Sequence, residues 1–233
     1  MTEKLYLEDP YLRACEAEVV AVEPGWAALS RTIFHGGGGG QPPDRGQIGG
    51  LELLGLREDG GHIWHQIDGV LSGRVELQLD WAFRHALMRA HALMHVVNTI
   101  ARDHFSGVIT GVQLGPEQSR IDFRLGGGFA REQLPRFEAL VNEVIARDCE
   151  VTSSSISEEE FKQRPELIRT LNVLPPVVNG RVRIVEIKGF DVQACGGTHV
   201  HSTREIGAAK IEKFDNKGKE NKRFYWRLSP SVQ

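Results

Sequence analysis

Apolar and polar positions alternate with a period of two over residues 74–80, where Val75, Leu77 and Leu79 are separated by Glu76 and Gln78. That spacing sets the three apolar side chains on one face of a strand. Two more apolar runs, 17–22 and 26–33, flank Pro24-Gly25, a pair suited to a tight turn, and predict a β-hairpin. Residues 62–67 predict another short strand. Between these, Phe34-His35 leads into glycines at 36–40 and then Gln41-Pro42-Pro43-Asp44-Arg45-Gly46, a composition no helix survives. Residues 1–80 therefore predict an all-β domain, a small barrel.

The period changes after Asp80, a good N-cap residue. Residues 81–103 contain no Gly or Pro, are rich in Ala, Leu, Met and Arg, and predict one long helix. A second helix is expected over 131–147, with Leu134, Phe137, Val141, Val144 and Ile145 on one face. A third opens at Ser157, whose spacing to Glu160 fits a capping box. Strands return at 182–187, 208–214 and 223–228, the last with Phe224, Trp226 and Leu228 alternating. The fold class expected is α+β: a β-barrel domain over 1–80 and an α+β domain over 81–233.

The 233 residues, 40% hydrophobic and 25% charged, suit a globular protein with a full core. No apolar run approaches the roughly 20 residues needed to cross a bilayer, and the first residues do not read as a secretory signal. Cys15, Cys149 and Cys195 are too few for a disulfide framework, so a cytoplasmic location is expected.

Two pairs of metal-binding residue types stand out. His91 and His95 are four apart on the long helix and project from nearly one face. Alone they also read as two ordinary helix histidines, with His85 nearby as a reminder. Cys195-Gly196-Gly197-Thr198-His199 adds a thiolate and an imidazole on a loop that two glycines allow to fold back. Together they make a His3Cys set, which suits Zn2+ and, because of the soft thiolate, argues against magnesium or calcium. Ala92, Leu93 and Met94 separate the histidines, so the Glu that acts as base in His-Glu-x-x-His proteases is missing. Four protein ligands fit a structural ion, and a catalytic role stays open beside it.

The order and combination of motifs resembles the AlaX family of free-standing alanyl-tRNA editing proteins, relatives of the alanyl-tRNA synthetase editing domain. The segments that carry the resemblance are Arg31-Thr-Ile-Phe34, Gly38-Gly-Gly-Gln-Pro42, Asp44-Arg-Gly46, Met88-Arg89-x-His91-x-x-x-His95, Arg120-Ile-Asp-Phe123, Gly189-Phe-Asp191, Cys195-Gly-Gly-Thr-His-Val200 and Lys217-Gly-Lys-x-Asn-Lys-Arg223. The resemblance implies a deacylase acting on mischarged tRNA(Ala), chiefly Ser-tRNA(Ala) and also Gly-tRNA(Ala), and an N-terminal barrel followed by an editing domain shared with threonyl-tRNA synthetase. Carried over by position, one Zn2+ falls on His91, His95, Cys195 and His199, and the amino-acid pocket on Ala92, Gly196, Gly197 and Thr198. Ala92 stands where the family commonly has Thr, and His35-Gly36-Gly37 where its glycine motif follows Tyr-Pro-Glu.

Residues 210–227 carry seven basic side chains against three acidic ones in a chain of net charge −3. Lys217, Lys219, Lys222 and Arg223 are candidate contacts to the tRNA acceptor end; the alternative is a solvated hairpin with a core-facing aromatic strand. Gly38, Gly39, Gly40 and Gln41 either offer backbone N–H groups to the same partner or form a flexible loop. Gln113 is a candidate polar group of the catalytic pocket, or a surface residue. Beside the deacylase, two other functions fit: a non-catalytic tRNA-binding protein with structural zinc, and a metal-dependent hydrolase of a small ester or thiol metabolite.

Overall fold

A computed structural model describes residues 1–125, 129–169, 175–218 and 220–230. The chain divides into two units, Met1–His85 and Ala86–Gln233.

In the first unit, β1 (Glu3–Lys4) pairs in parallel with β4 (Arg31–Thr32), and seven strands form one curled antiparallel sheet. They are β2 (Ala14–Glu23), β3 (Trp26–Leu29), β5 (Gly46–Ile48), β6 (Leu51–Glu52), β7 (Gly55–Asp59), β8 (His62–Gln66) and β9 (Arg74–Leu79), in the order β6-β5-β9-β2-β3-β8-β7. The ten residues of β2 cause the curl. Their first half pairs with β9 and their second with β3, and the register slips between Val19 and Ala21, where the bulge sharpens the local twist. The result is a half-barrel. Glu23 faces Trp26 across the predicted Pro24-Gly25 turn, with Gly25 at φ 75°. Leu29, Ile33, Phe34, Ile48 and Leu77 fill the interior with Ala17, Ala27 and Val75, so the predicted alternation in β9 does face the core.

The glycine tract is a tight turn. Gly38 and Gln41 exchange both backbone hydrogen bonds at 3.0 Å, and Gly39 and Gly40 between them have φ of 60° and 87°. A two-residue turn of that hand needs positive φ at both central positions, which glycine supplies without strain. Asp44 anchors the segment: its carboxylate accepts from the His35 backbone N–H and lies against Arg84. The Arg84 guanidinium is 0% exposed and also donates to the carbonyls of Pro10 and Ile33. A buried charge met on every side in this way is satisfied; removing either member of such a pair costs about 3–5 kcal/mol.

Helix α1 (Trp81–Phe105) starts as expected, with the Asp80 carboxylate accepting from the Phe83 N–H at 3.1 Å. The second unit contains β10 (Gly107–Gln113), β11 (Gln118–Leu125), α2 (Leu134–Ala146), β12 (Val151–Ser157), α3 (Glu158–Lys162), β13 (Val177–Val178), β14 (Arg181–Ile187), β15 (Asp191–Ala194), β16 (Ala209–Asn216) and β17 (Asn221–Leu228). One antiparallel sheet runs β10-β11-β17-β16; another runs β12-β14-β13, with β15 also pairing with β14. Helix α2 is held to the outer strand β16: Asn142 exchanges hydrogen bonds with the Ala209 backbone, and Glu138 accepts from the Ile211 N–H. Phe137 on its buried face meets Phe105, Phe224 and Trp226 at ring separations of 5.1, 5.3 and 5.6 Å. The α+β class expected from the sequence is what the two units show. The helix anticipated from Arg131 begins with a short 3-10 turn, Arg131–Gln133, because Pro135 cannot donate a backbone N–H. At Ser157 the hydroxyl caps the Glu160 N–H at 3.1 Å.

Candidate metal centre

Positions 91, 95 and 99 recur on one face of α1 and carry His91, His95 and Thr99. Positions 191, 193 and 195 recur on one face of an extended segment and carry Asp191, Gln193 and Cys195. The Cys195 N–H donates to the Arg183 carbonyl at 3.0 Å, which extends the β14–β15 pairing by one residue. Beyond it, Gly196 and Gly197 turn the chain so that His199 comes back to the same point. Arg183 fixes this loop from β14, donating from one nitrogen to the carbonyls of Cys195 and Gly197 at 3.0 and 2.9 Å. A side chain at 196 would set its Cβ 3.2 Å from Pro176 Cγ, so the loop is close to its neighbour there.

The ligand atoms of His91, His95, Cys195 and His199 all lie within 4.8 Å of one another. Cys195 Sγ is 3.4 Å from His91 Nε2 and 3.7 Å from His199 Nε2, and His199 Nε2 is 3.1 Å from His95 Nε2. The three imidazoles are buried and Cys195 is half-buried. This group can hold a metal ion.

Behind His95 lies a second layer. Its Nδ1 is 2.8 Å from the Gln193 amide nitrogen and 3.5 Å from Asp191 Oδ2. The Asp191 carboxylate accepts from the Gln193 amide at 2.7 Å, from the Thr99 hydroxyl at 2.8 Å and from the Arg169 guanidinium at 3.2 Å. When Nε2 of a neutral histidine faces an ion, Nδ1 carries the ring proton, and the Asp191 carboxylate, 3.5 Å away, is the anion that favours it there. Burial opposes ionisation of Asp191, yet His95, Thr99 and Gln193 outweigh it and hold the carboxyl below its usual range. Burial likewise works against charge on His95, but Asp191 and Cys195 raise it to about 9. Burial opposes the Cys195 thiolate, and the His91 and His199 rings overcome it, holding the thiol well below its ordinary value. Burial and His91 together keep His199 far below its own. The site thus favours a thiolate at Cys195 and a neutral imidazole at His199, the forms in which these side chains bind a cation, whereas His95 favours its charged form and would release a proton on taking one up.

Other expected residues sit as follows. Ala92 and Thr198 are fully buried, Gly197 is buried and Gly196 half-buried. Gln113 is exposed at the end of β10, opposite Arg120. Lys217 is exposed, whereas Lys222 is 5% exposed and donates from Nζ to Asn216 Oδ1 and the Gly218 carbonyl at 2.7 and 2.9 Å. Arg223 makes a two-pronged pair with Asp122, both bonds 2.8 Å, and the carboxylate raises its pKa. Lys219 lies outside the described residues. Thr99, Gln193 and Arg183 had not been singled out from the sequence, although the 91/95/99 and 191/193/195 spacings were there to find the first two.

The chain is similar to known proteins along its length. Residues 182–225, which include Cys195 and His199, match the family model for the threonyl and alanyl tRNA synthetase second additional domain. The chain is 38% identical to the alanyl-tRNA editing protein AlaX-M of Methanosarcina barkeri over 98% of its length and 99% of that protein's. It is 36% identical to AlaX-M of Saccharolobus solfataricus over 99% and 100% of the two chains. Similarity extends to the alanine–tRNA ligase of Korarchaeum cryptofilum, 38% identical over 90% of this chain and 24% of the ligase. With both units covered from end to end at this identity, the chain belongs to the AlaX family of alanyl-tRNA editing proteins.

Proposed function

We propose that the protein is a deacylase that clears wrongly charged tRNA(Ala), chiefly Ser-tRNA(Ala) and also Gly-tRNA(Ala), at a zinc ion held by His91, His95, Cys195 and His199. The observation that carries this reading is the His3Cys cluster in a chain of this family. Zinc–nitrogen bonds of about 2.0–2.1 Å and zinc–sulfur bonds of about 2.3 Å imply tetrahedral ligand separations near 3.3 Å (N to N) and 3.6 Å (N to S), by that geometry. Three of the six separations, 3.1, 3.4 and 3.7 Å, lie near these values.

A zinc ion held by these four residues would supply a Lewis acid for the substrate's amino group or a water. The remaining work belongs to the chain. Asp191 retains the Nδ1 proton of His95, and Arg183 fixes the loop that presents Cys195 and His199. Ala92, Gly196, Gly197 and Thr198 are assigned to the amino-acid pocket: the glycines let the chain turn there, Ala92 adds a methyl, and Thr198 is the only hydroxyl of the four. A pocket that hydrogen-bonds a serine hydroxyl discriminates more strongly than one that senses a methylene. No carboxylate stands between the histidines, so a hydroxyl of the substrate itself serves as base, which an ester tolerates better than a peptide. Gln113, whose amide has no titratable proton, is assigned to orienting the substrate. Gly38, Gly39, Gly40 and Gln41 in the first unit and, separately, Lys217, Lys219, Lys222 and Arg223 of the second are assigned to contacts with tRNA(Ala).

The closed, four-ligand character of the cluster favours one other reading, a tRNA-binding protein in which the ion only staples the fold. Incubation with Ser-tRNA(Ala), Gly-tRNA(Ala) and Ala-tRNA(Ala) separates the two. Release of serine and glycine well above alanine is expected, with a loss on the order of 100-fold or more in Cys195→Ala, since even groups behind the ligands are worth 10–100-fold. No release from any of the three substrates would leave only the binding protein.

A further inference from the structure

We propose that an open groove at the turn end of the β11–β17 pair docks the phosphodiester backbone of RNA, with Arg124 and Lys217 as the cations that meet phosphate and Lys222 and Arg223 as the frame that holds them. This rests on the reading of the substrate as a tRNA and adds where its backbone is gripped. The groove encloses about 590 Å³ and its walls include Thr110, Asp122, Arg124, Lys217, Lys222 and Arg223.

The four basic side chains are not equivalent. The Lys222 ammonium is turned inward onto Asn216 and the Gly218 carbonyl, closing the β16–β17 turn. The Arg223 guanidinium is locked to Asp122 by two 2.8 Å bonds, which also neutralises that carboxylate inside the groove. Arg124 is exposed and has no ion-pair partner among the described residues. Lys217 is exposed and its Nζ lies 3.7 Å from Asp215, a carboxylate that Lys213 already holds at 3.1 Å. Two loosely held cations therefore stand over a rigid, charge-balanced floor.

Two further features fit a backbone ligand. The β10–β11 register skips Thr110 between Ile109 and Gly111, and a bulged residue is re-aimed out of the ladder; here it brings a hydroxyl donor to the groove wall. At the opposite end of the same strands Arg227 is taken up by Glu212 and Glu117, whereas Arg124 at the turn end has no such partner among the described residues. Glu220 also lines the groove and is exposed. It opposes an anion there, which gives the proposal a test of opposite sign. The groove is open and shallow in charge, so the partner it fits is an extended polyanion that bridges both cations.

The test measures binding of unmodified tRNA(Ala) transcript to the intact protein by fluorescence anisotropy between 50 and 200 mM salt. Arg124→Gln and Lys217→Gln are each expected to weaken binding about threefold to tenfold and to reduce the slope of log affinity against log salt by about 0.9. Glu220→Gln is expected to tighten binding about threefold. Wild-type affinity and slope in both cation variants, or no tRNA binding by the parent protein, overturns the proposal, and competition by millimolar inorganic phosphate equal to that by tRNA would reassign the groove to a small anion. The outcome is distinguishable from that of the deacylase reading. Hydrolysis of Ser-tRNA(Ala) by the parent with an unaltered KM in both variants defeats the docking surface alone; weakened binding in the variants without hydrolysis by the parent defeats the deacylase alone.

Discussion

Asp191 shows how a single buried carboxylate can govern a site it does not belong to. It touches Thr99, Gln193 and Arg169 and faces the Nδ1 of His95, so its charge fixes which imidazole nitrogen is free. Asp191→Asn keeps the shape and removes the charge. Zinc affinity is expected to fall about 10–100-fold, read by competition against a chromogenic chelator; an affinity within twofold of the parent removes the orienting role. The four ligand-type residues were legible in the sequence because helix periodicity and a Gly-Gly turn act locally. Lys222 was not. Its basic side chain counts as surface charge in any composition, and only the curvature of the β16–β17 turn brings Asn216 and the Gly218 carbonyl to its ammonium. Arg84 is a similar case, a charged residue of an amphipathic helix whose partner Asp44 is 40 residues away.

Among the elements, α1 and β9 could be read directly, the one from a capped run without Gly or Pro, the other from strict alternation. Strand β10 escaped notice because Gly107, Gly111 and the bulge at Thr110 break its period. Strand β11 alternates Ile121, Phe123 and Leu125 inward, but the charged Arg120, Asp122 and Arg124 between them find their setting only when β17 supplies the partner for Asp122. Strand β15 is only four residues long, too short for periodicity to stand out. Gly46 on β5 has a clear role: a Cβ there would lie 2.1 Å from the Gln78 carbonyl oxygen and 2.7 Å from Phe34. The backbone of β9 cannot move aside without breaking its ladder to β5. Gly46→Ala is expected to cost about 1–3 kcal/mol, the range for overpacking, seen as a lower midpoint in urea unfolding. An unchanged midpoint would mean that β5 and β9 are less tightly coupled than the contact requires.

At the scale of the molecule, each unit has its own source of order. Met1–His85 is organised by a curled sheet and a buried ion pair, and Ala86–Gln233 by an aromatic core around Phe137 and by the His3Cys cluster. Among the described residues no helix is long and apolar enough to cross a membrane. The bonds from Arg183 to the Cys195–His199 loop use carbonyl oxygens and no ligand atom, so the loop keeps its course when the ion is removed. Chelation is therefore expected to lower the melting temperature by on the order of 10 °C, since an ion at 1,000 times its Kd adds about 4 kcal/mol. Far-UV circular dichroism at 25 °C should stay native-like, and zinc should restore the melting temperature; collapse of the spectrum on chelation would show that the ion builds the loop instead of occupying it.

The glycine tract has a genetic consequence. A run of five identical residues is encoded by a repetitive stretch of DNA, where copying slips and length drifts. Here length is fixed on both sides: Gly38 must meet Gln41, and His35 must meet Asp44. One glycine more or fewer would break one pairing or the other, so selection must hold constant the number of residues in the very segment whose coding sequence is most prone to change it.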